Sequence, residues 1–234
     1  MKLVGVGDLF IPCSYIESGF KALQEYGVEI ETVEWHFDTF EELQKANLLV
    51  EQSGCEAVEP PGEVAEKMHS ADILITHFCT ITRAIIDNSP NLKTIGILRG
   101  GYENVNVAYA QGTGVQVFHT PGRNADSVAD FTVGVAIAEC RNIAKGHHGI
   151  KTGKWIRDYP NMDTIPDLPG RTFGLVGLGE IGKKVARRLS GFDMRILVFD
   201  PYIQPGQVEN LNVELTSLDR SEERRVGKEC RSRW

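Results

Sequence analysis

Short apolar runs alternate with amphipathic stretches along the first hundred residues, and the alternation predicts strand–helix–strand units. Lys2 to Val6 reads as a strand and Tyr15 to Tyr26 as a helix with Phe20 and Leu23 on one face. Val28 to Val33 reads as a second strand, and Phe40 to Val50 carries apolar residues at helical spacing. Ala71 to Thr76 (ADILIT) and Leu92 to Leu98 (LKTIGIL) are apolar enough for interior strands of a parallel sheet. Between them Thr82 to Asn88 predicts a short helix stopped by Pro90.

After the Gly100–Gly101 turn and a short strand over Val115 to Phe118, a long helix is expected from Asn124. Val128, Phe131, Val135, Ala138 and Ile143 form its expected apolar side. Residues 149–171 are polar and hold Pro160, Pro166 and Pro169, which suits a surface connection. A strand over Thr172 to Val176, a glycine turn, a helix and a strand over Arg195 to Phe199 then follow within about thirty residues. The pattern as a whole specifies an α/β protein, and the length allows one large domain or two smaller ones.

Composition changes this picture little. Hydrophobic residues make up 41% and charged residues 24% of the 234, which is ordinary for a globular protein. The net charge of −7, with no basic stripe, argues against a nucleic-acid partner. No apolar run approaches the roughly 18 residues of a membrane helix, and MKLVGVGDLF reads as a first strand rather than a signal peptide. The cysteines, at positions 13, 55, 79, 140 and 230, are scattered without a CxxC pair. That suggests reduced thiols and a cytoplasmic setting, with no metal site.

Residues 220–234, RSEERRVGKECRSRW, break with what precedes them. The string resembles the in-frame translation of a sequencing-library adapter. It is therefore expected to be an artefactual tail, with the natural frame departing from this one after Asp219.

Candidate chemistry centres on Gly177-Leu178-Gly179-Glu180-Ile181-Gly182, a GxGxxG string. The letters alone are weak: a glycine turn that merely packs a helix on a strand shows them, as does a protein-kinase loop. Here they follow an apolar strand and open a helix carrying Val185, Ala186 and Leu189 at helical spacing, and the next strand ends in Asp200. That is the setting of a dinucleotide fingerprint. Gly177 permits the tight turn, Gly179 lets a pyrophosphate approach the backbone, and Gly182 lets the helix pack close. The N–H groups around Glu180 and Ile181 face the phosphates. Asp200 would accept from the adenosine ribose hydroxyls and repel a 2′-phosphate, which predicts NAD over NADP.

The segment RGGYENVNVAYAQGTGVQVFHTPGRNADSVADFTVGVAIAECRNIA, followed some thirty residues later by GLVGLGEIGKKVARRL, resembles the D-isomer-specific 2-hydroxyacid dehydrogenases. The resemblance implies a flavodoxin-like substrate domain over residues 1–103 and an incomplete Rossmann NAD-binding domain over residues 104–219. It implies reversible reduction of a 2-oxo acid to a D-2-hydroxy acid and a homodimer built through the cofactor domain. It also places Arg99, Gly100 and Gly101 in the loop that holds the substrate carboxylate, and Thr132 toward the nicotinamide. Arg99 stands where glycine is commoner, and His119 where asparagine is usual. The Arg, Glu and His of the family's chemistry are expected downstream of Asp219, so no catalytic residue is assigned and the chain itself is expected to be inactive. The alternative is a non-enzymatic NAD(H)-binding regulator resembling the family's corepressor branch. His77, His147, His148 and His119 are not expected to substitute as catalysts. Asp126 with Asp130 reads as a solvated or capping pair, and Cys79 and Cys140 as small core residues.

Overall fold

In the computed structural model, which describes residues 1–159 and 167–218, the chain divides into two units, Met1–Arg123 and Asn124–Trp234. The tail predicted to be foreign lies outside the described residues.

The first unit is a parallel sheet flanked by helices. Its strands are β1 (Lys2–Gly7), β2 (Glu29–Glu34), β3 (Ile73–Thr76), β4 (Thr94–Ile97) and β5 (Gln116–His119), in the order β2-β1-β3-β4-β5. All neighbouring pairs are parallel. Strand side chains alternate faces, and the register sorts them into two cores. Val4, Val6, Leu74, Ile95 and Ile97 enter one cluster with Leu43, Val64 and Met68. Leu3 and Ile75 enter the other with Ile16 and Val28.

The helices start where short polar side chains can cap them. Thr39 accepts from the Glu42 N–H at the head of α2 (Phe40–Ser53), whose first turn carries Glu41 and Glu42. Thr82 does the same for Ile85 at the head of α4 (Arg83–Asp87). Only the first part of the helix expected over Tyr15 to Tyr26 is α-helical. It is α1 (Cys13–Phe20), after which the chain tightens into a 3-10 turn over Lys21–Tyr26 and leaves through Gly27 at φ +74°. Two helices without an evident sequence signal complete the unit, α3 (Gly62–Met68) and α5 (Val107–Gly112).

The division falls after Arg123, beyond the expected 103/104 boundary, because β5 pairs in register with β4 and so belongs to the first sheet.

The second unit opens with α6 (Ala125–Cys140). The long helix expected through Ile143 instead stops there: Asn142 takes the left-handed conformation at φ +55°, and α7 (Ile143–Lys151) starts afresh. Asparagine is among the few side chains that tolerate this region. The buried face of α6 also differs from the expected one. Ala125, Ala129 and Val133 are buried, whereas Phe131, Val135 and Ile143 are 72%, 48% and 54% exposed. Apolar residues surround this helix, so periodicity could not choose; α8 (Glu180–Leu189) settles the face by packing its Val185, Ala186 and Leu189 with Ala129 and Val133 in one core. Asp126 and Asp130 flank that contact and are ion-paired rather than merely solvated. Lys184 and Arg188 reach Asp126 at 2.8 and 3.1 Å, and Arg188 reaches Asp130 at 2.5 Å. A parallel sheet of β6 (Thr172–Val176), β7 (Arg195–Phe199) and the two-residue β8 (Glu214–Leu215) completes the unit.

Candidate functional site

In the second unit the glycine loop joins β6 to α8. Gly177 sits at φ +92°, a region closed to most side chains, and its N–H donates to the Phe199 carbonyl at 2.8 Å. The turn is thereby tied to the end of β7. A Cβ at Gly182 would press into the Gly177 carbonyl oxygen and come within 3.1 Å of its carbon, so only glycine lets α8 approach β6 this closely. A Cβ at Gly179 would meet nothing within 4 Å: that position is open to a ligand. Among the described residues no side chain caps α8, so the N–H groups of Glu180, Ile181 and Gly182 keep their donor capacity at the positive end of the helix dipole.

Asp200 closes the loop from the tip of β7. Its Oδ2 accepts the Leu178 N–H at 2.7 Å and its Oδ1 accepts the Tyr202 N–H at 2.8 Å. These two backbone donors hold its carboxyl below the usual carboxylate range, so it is an anion at neutral pH. Each oxygen retains a lone pair for a further donor. Gly177, Gly179, Glu180, Ile181, Gly182 and Asp200 thus form one constellation. Thr132 stands apart from it on α6, half-buried, with its hydroxyl donating to the Val128 carbonyl at 2.7 Å.

In the first unit, Arg99, Gly100 and Gly101 follow β4 at the carboxyl end of the sheet, the end where open α/β sheets bind ligands. Arg99 is committed inward. Its Nη1 donates to Asn47 Oδ1 at 2.9 Å, its Nη2 to Glu51 at 3.1 Å, and Glu103 lies 3.6 Å away. The guanidinium also sits 4.8 Å from the Phe78 ring centre. What the loop offers outward is backbone. The Arg99 carbonyl accepts the Thr120 N–H at 3.0 Å and the Gly100 carbonyl accepts His119 Nδ1–H at 2.7 Å. The N–H groups of Gly100 and Gly101 donate to no acceptor among the described residues.

Sequence reasoning missed a second group at the same end of this sheet. Asp8, just after β1, and His77, just after β3, are both buried and meet at 3.0 Å at the switch point of the strand order. Asp8 also accepts from the N–H groups of Phe10, Ile11 and Phe78. The Asn104 amide, fully buried, donates to the carbonyls of His77 and Cys79. An aspartate placed right after an apolar strand was the available signal. Its partner, 69 residues on, was not readable. Cys79 is buried, and burial pushes its thiol far above the ordinary value, as fits a core residue. Cys140 is half-buried.

Residues 21–229 match the model of the D-isomer specific 2-hydroxyacid dehydrogenase catalytic domain. A glyoxylate reductase of Thermofilum pendens is 39% identical over 169 residues, 68% of this chain and 49% of that protein. A D-3-phosphoglycerate dehydrogenase of Methanocaldococcus jannaschii is 37% identical over 154 residues, 65% of this chain and 29% of that protein. Among solved structures, the TT0316 protein of Thermus thermophilus superposes with a TM-score of 0.66 at 26% identity, covering 94% of this chain and 61% of that one. The chain thus spans about half the length, or less, of the curated relatives it matches.

Proposed function

This chain belongs to the D-isomer-specific 2-hydroxyacid dehydrogenase family, and from that premise we propose that it carries the NAD-binding and carboxylate-binding parts of a dehydrogenase for a D-2-hydroxy acid. The observation that carries the reading is the cradle at the head of α8. An open Gly179, uncapped helix N–H groups and the anionic Asp200 lie together on one strand–turn–helix–strand unit.

A dinucleotide suits this donor set. The N–H groups of Glu180, Ile181 and Gly182 meet a diphosphate, and Asp200 takes the ribose hydroxyls while repelling a 2′-phosphate. Bound nicotinamide supplies or takes the hydride at the substrate's second carbon. In the first unit, the Gly100 and Gly101 N–H groups hold the substrate carboxylate, and Arg99 buttresses their loop rather than touching the substrate. Thr132 lines the nicotinamide end.

We also propose a homodimer formed through the cofactor unit, a reading supported by Phe131, Val135, Ile143 and Ile150, exposed on α6 and α7. Its setting is cytoplasmic, in keeping with Cys13, Cys55, Cys79 and Cys140 being free thiols. No helix among the described residues is long and apolar enough to cross a membrane.

Fluorescence titration of the chain with NADH and with NADPH tests the cofactor reading. NADH should bind at least about tenfold tighter. Asp200→Asn should narrow that ratio by weakening NADH and admitting NADPH. Equal affinities in the unsubstituted chain would remove the assignment of Asp200, and binding of neither would remove the cradle.

A further inference from the structure

The 99–101 loop presents two consecutive free N–H groups on one side for a reason written in its carbonyls. In a trans peptide the C=O and N–H point in opposite directions, so fixing one aims the other. The peptide that ends in the Gly100 N–H has its carbonyl, that of Arg99, bound by the Thr120 N–H at 3.0 Å. The next peptide, ending in the Gly101 N–H, has its carbonyl, that of Gly100, bound by His119 Nδ1 at 2.7 Å. Both carbonyls are therefore drawn to the end of β5, and both N–H groups face away from it. The first tie is backbone and any residue could make it. The second depends on one side chain.

We propose that His119 is a positioning residue of the carboxylate loop. Its Nδ1–H grips the Gly100 carbonyl, aims the Gly101 N–H at the anion site and polarises that peptide toward its donor end. Hydrogen bonds in series across one peptide strengthen each other, so the ring acts on the ligand through a peptide and not by direct contact. The carbonyl can only accept, which makes Nδ1 the protonated nitrogen and leaves Nε2 outward. The edge of Tyr102 packs against the ring, with centroids 5.4 Å apart and planes at 85°. This contact fixes the ring's plane. The nearest carboxylate to Gly101 is Glu103, 3.6 Å from the Arg99 guanidinium that Glu51 shares at 3.1 Å. His119 is solvent-exposed and adds nothing to the hydrophobic core, so an ordinary packing role does not account for it.

This inference rests on the reading of Gly100 and Gly101 as the carboxylate site, and the test separates the two. The full 234-residue chain is labelled with 15N-glycine and its amide spectrum followed during titration with oxamate, an unreactive 2-oxo acid analogue. Oxamate should move the Gly100 and Gly101 signals of the unsubstituted chain. His119→Leu should raise the oxamate Kd about five- to tenfold, the worth of one hydrogen bond. It should also shift the Gly101 amide in the free protein while leaving Gly7 and Gly96, in the sheet, in place. His119→Asn keeps a side-chain N–H of shorter reach and should recover the affinity to within about twofold. A general loss of structure would move all the glycines and would not be rescued. If oxamate binds and His119→Leu binds it equally with Gly101 unmoved, His119 is idle while the carboxylate site stands. If oxamate moves neither Gly100 nor Gly101 in the unsubstituted chain, the carboxylate site falls and the role of His119 with it.

Discussion

The Nδ1 of His77 lies 3.0 Å from Oδ2 of Asp8 in a pocket where the two side chains are 4% and 1% exposed. The pair begins a relay toward the 99–101 loop. The His77 ring packs on Phe78 at 4.0 Å, and Phe78 carries the Arg99 guanidinium at 4.8 Å. A group far from the sequence of the loop thus helps to hold its first residue.

Burial by itself would push the Asp8 carboxyl up. The His77 hydrogen bond, the Ile11 N–H, the His77 charge and the Phe10 N–H together outweigh it, and the net shift is downward. A lowered folded pKa contributes stability that is present above the unfolded value of about 3.9 and is lost as the pH falls through the folded value. Asp8→Asn, which keeps the shape but loses the charge and one acceptor, should therefore destabilise the first unit by about 2–4 kcal/mol at pH 7. That gap should close progressively below about pH 4. Urea unfolding at several pH values measures both. A variant that unfolds with the unsubstituted chain at pH 7 would remove the pair from the stability of this unit.

Gly179 and Gly182 should separate affinity from stability. Gly182→Ala forces a methyl into the Gly177 carbonyl and should cost the second unit about 1–3 kcal/mol, with NADH binding lost alongside. Gly179→Ala meets open space at an ordinary φ of −70° and should leave the unfolding midpoint unchanged while weakening NADH. Equal effects of the two on both readouts would mean that the open space above Gly179 is not where a diphosphate lies.

Phe131 should mark the dimer surface. It is 72% exposed on α6 beside Val135, which is large for an aromatic with no partner in its own unit's core. Phe131→Glu should weaken self-association by about tenfold or more, since burying such a ring is worth about 1.5–3 kcal/mol. Sedimentation velocity reads the change. An unaltered dimer would move the interface elsewhere.

Much of this molecule was determined by local sequence alone. The strand–turn–helix–strand around Gly177 to Asp200 was legible because its signals lie within some two dozen residues and are set by backbone sterics: a positive φ at Gly177, no room for a Cβ at Gly182. The alternation of strand and helix was legible for the same reason, since a period of two or of 3.6 needs no distant partner.

Tertiary structure decided what depends on distant partners. The pairing of β5 with β4 moved the unit boundary past Arg123. Contact with α8 chose the Ala125, Ala129 and Val133 face of a helix whose apolar residues do not fall on one stripe. The family resemblance places Arg99 in the loop expected to hold the substrate carboxylate. Arg99 meets Asn47 and Glu51, 52 and 48 residues away, and is spent on them. His119 meets Gly100 across 19 residues and Asp8 meets His77 across 69. No periodicity encodes such meetings. They follow from strand order, which brings the carboxyl ends of β1, β3, β4 and β5 to one edge of the sheet and leaves their side chains to find each other there.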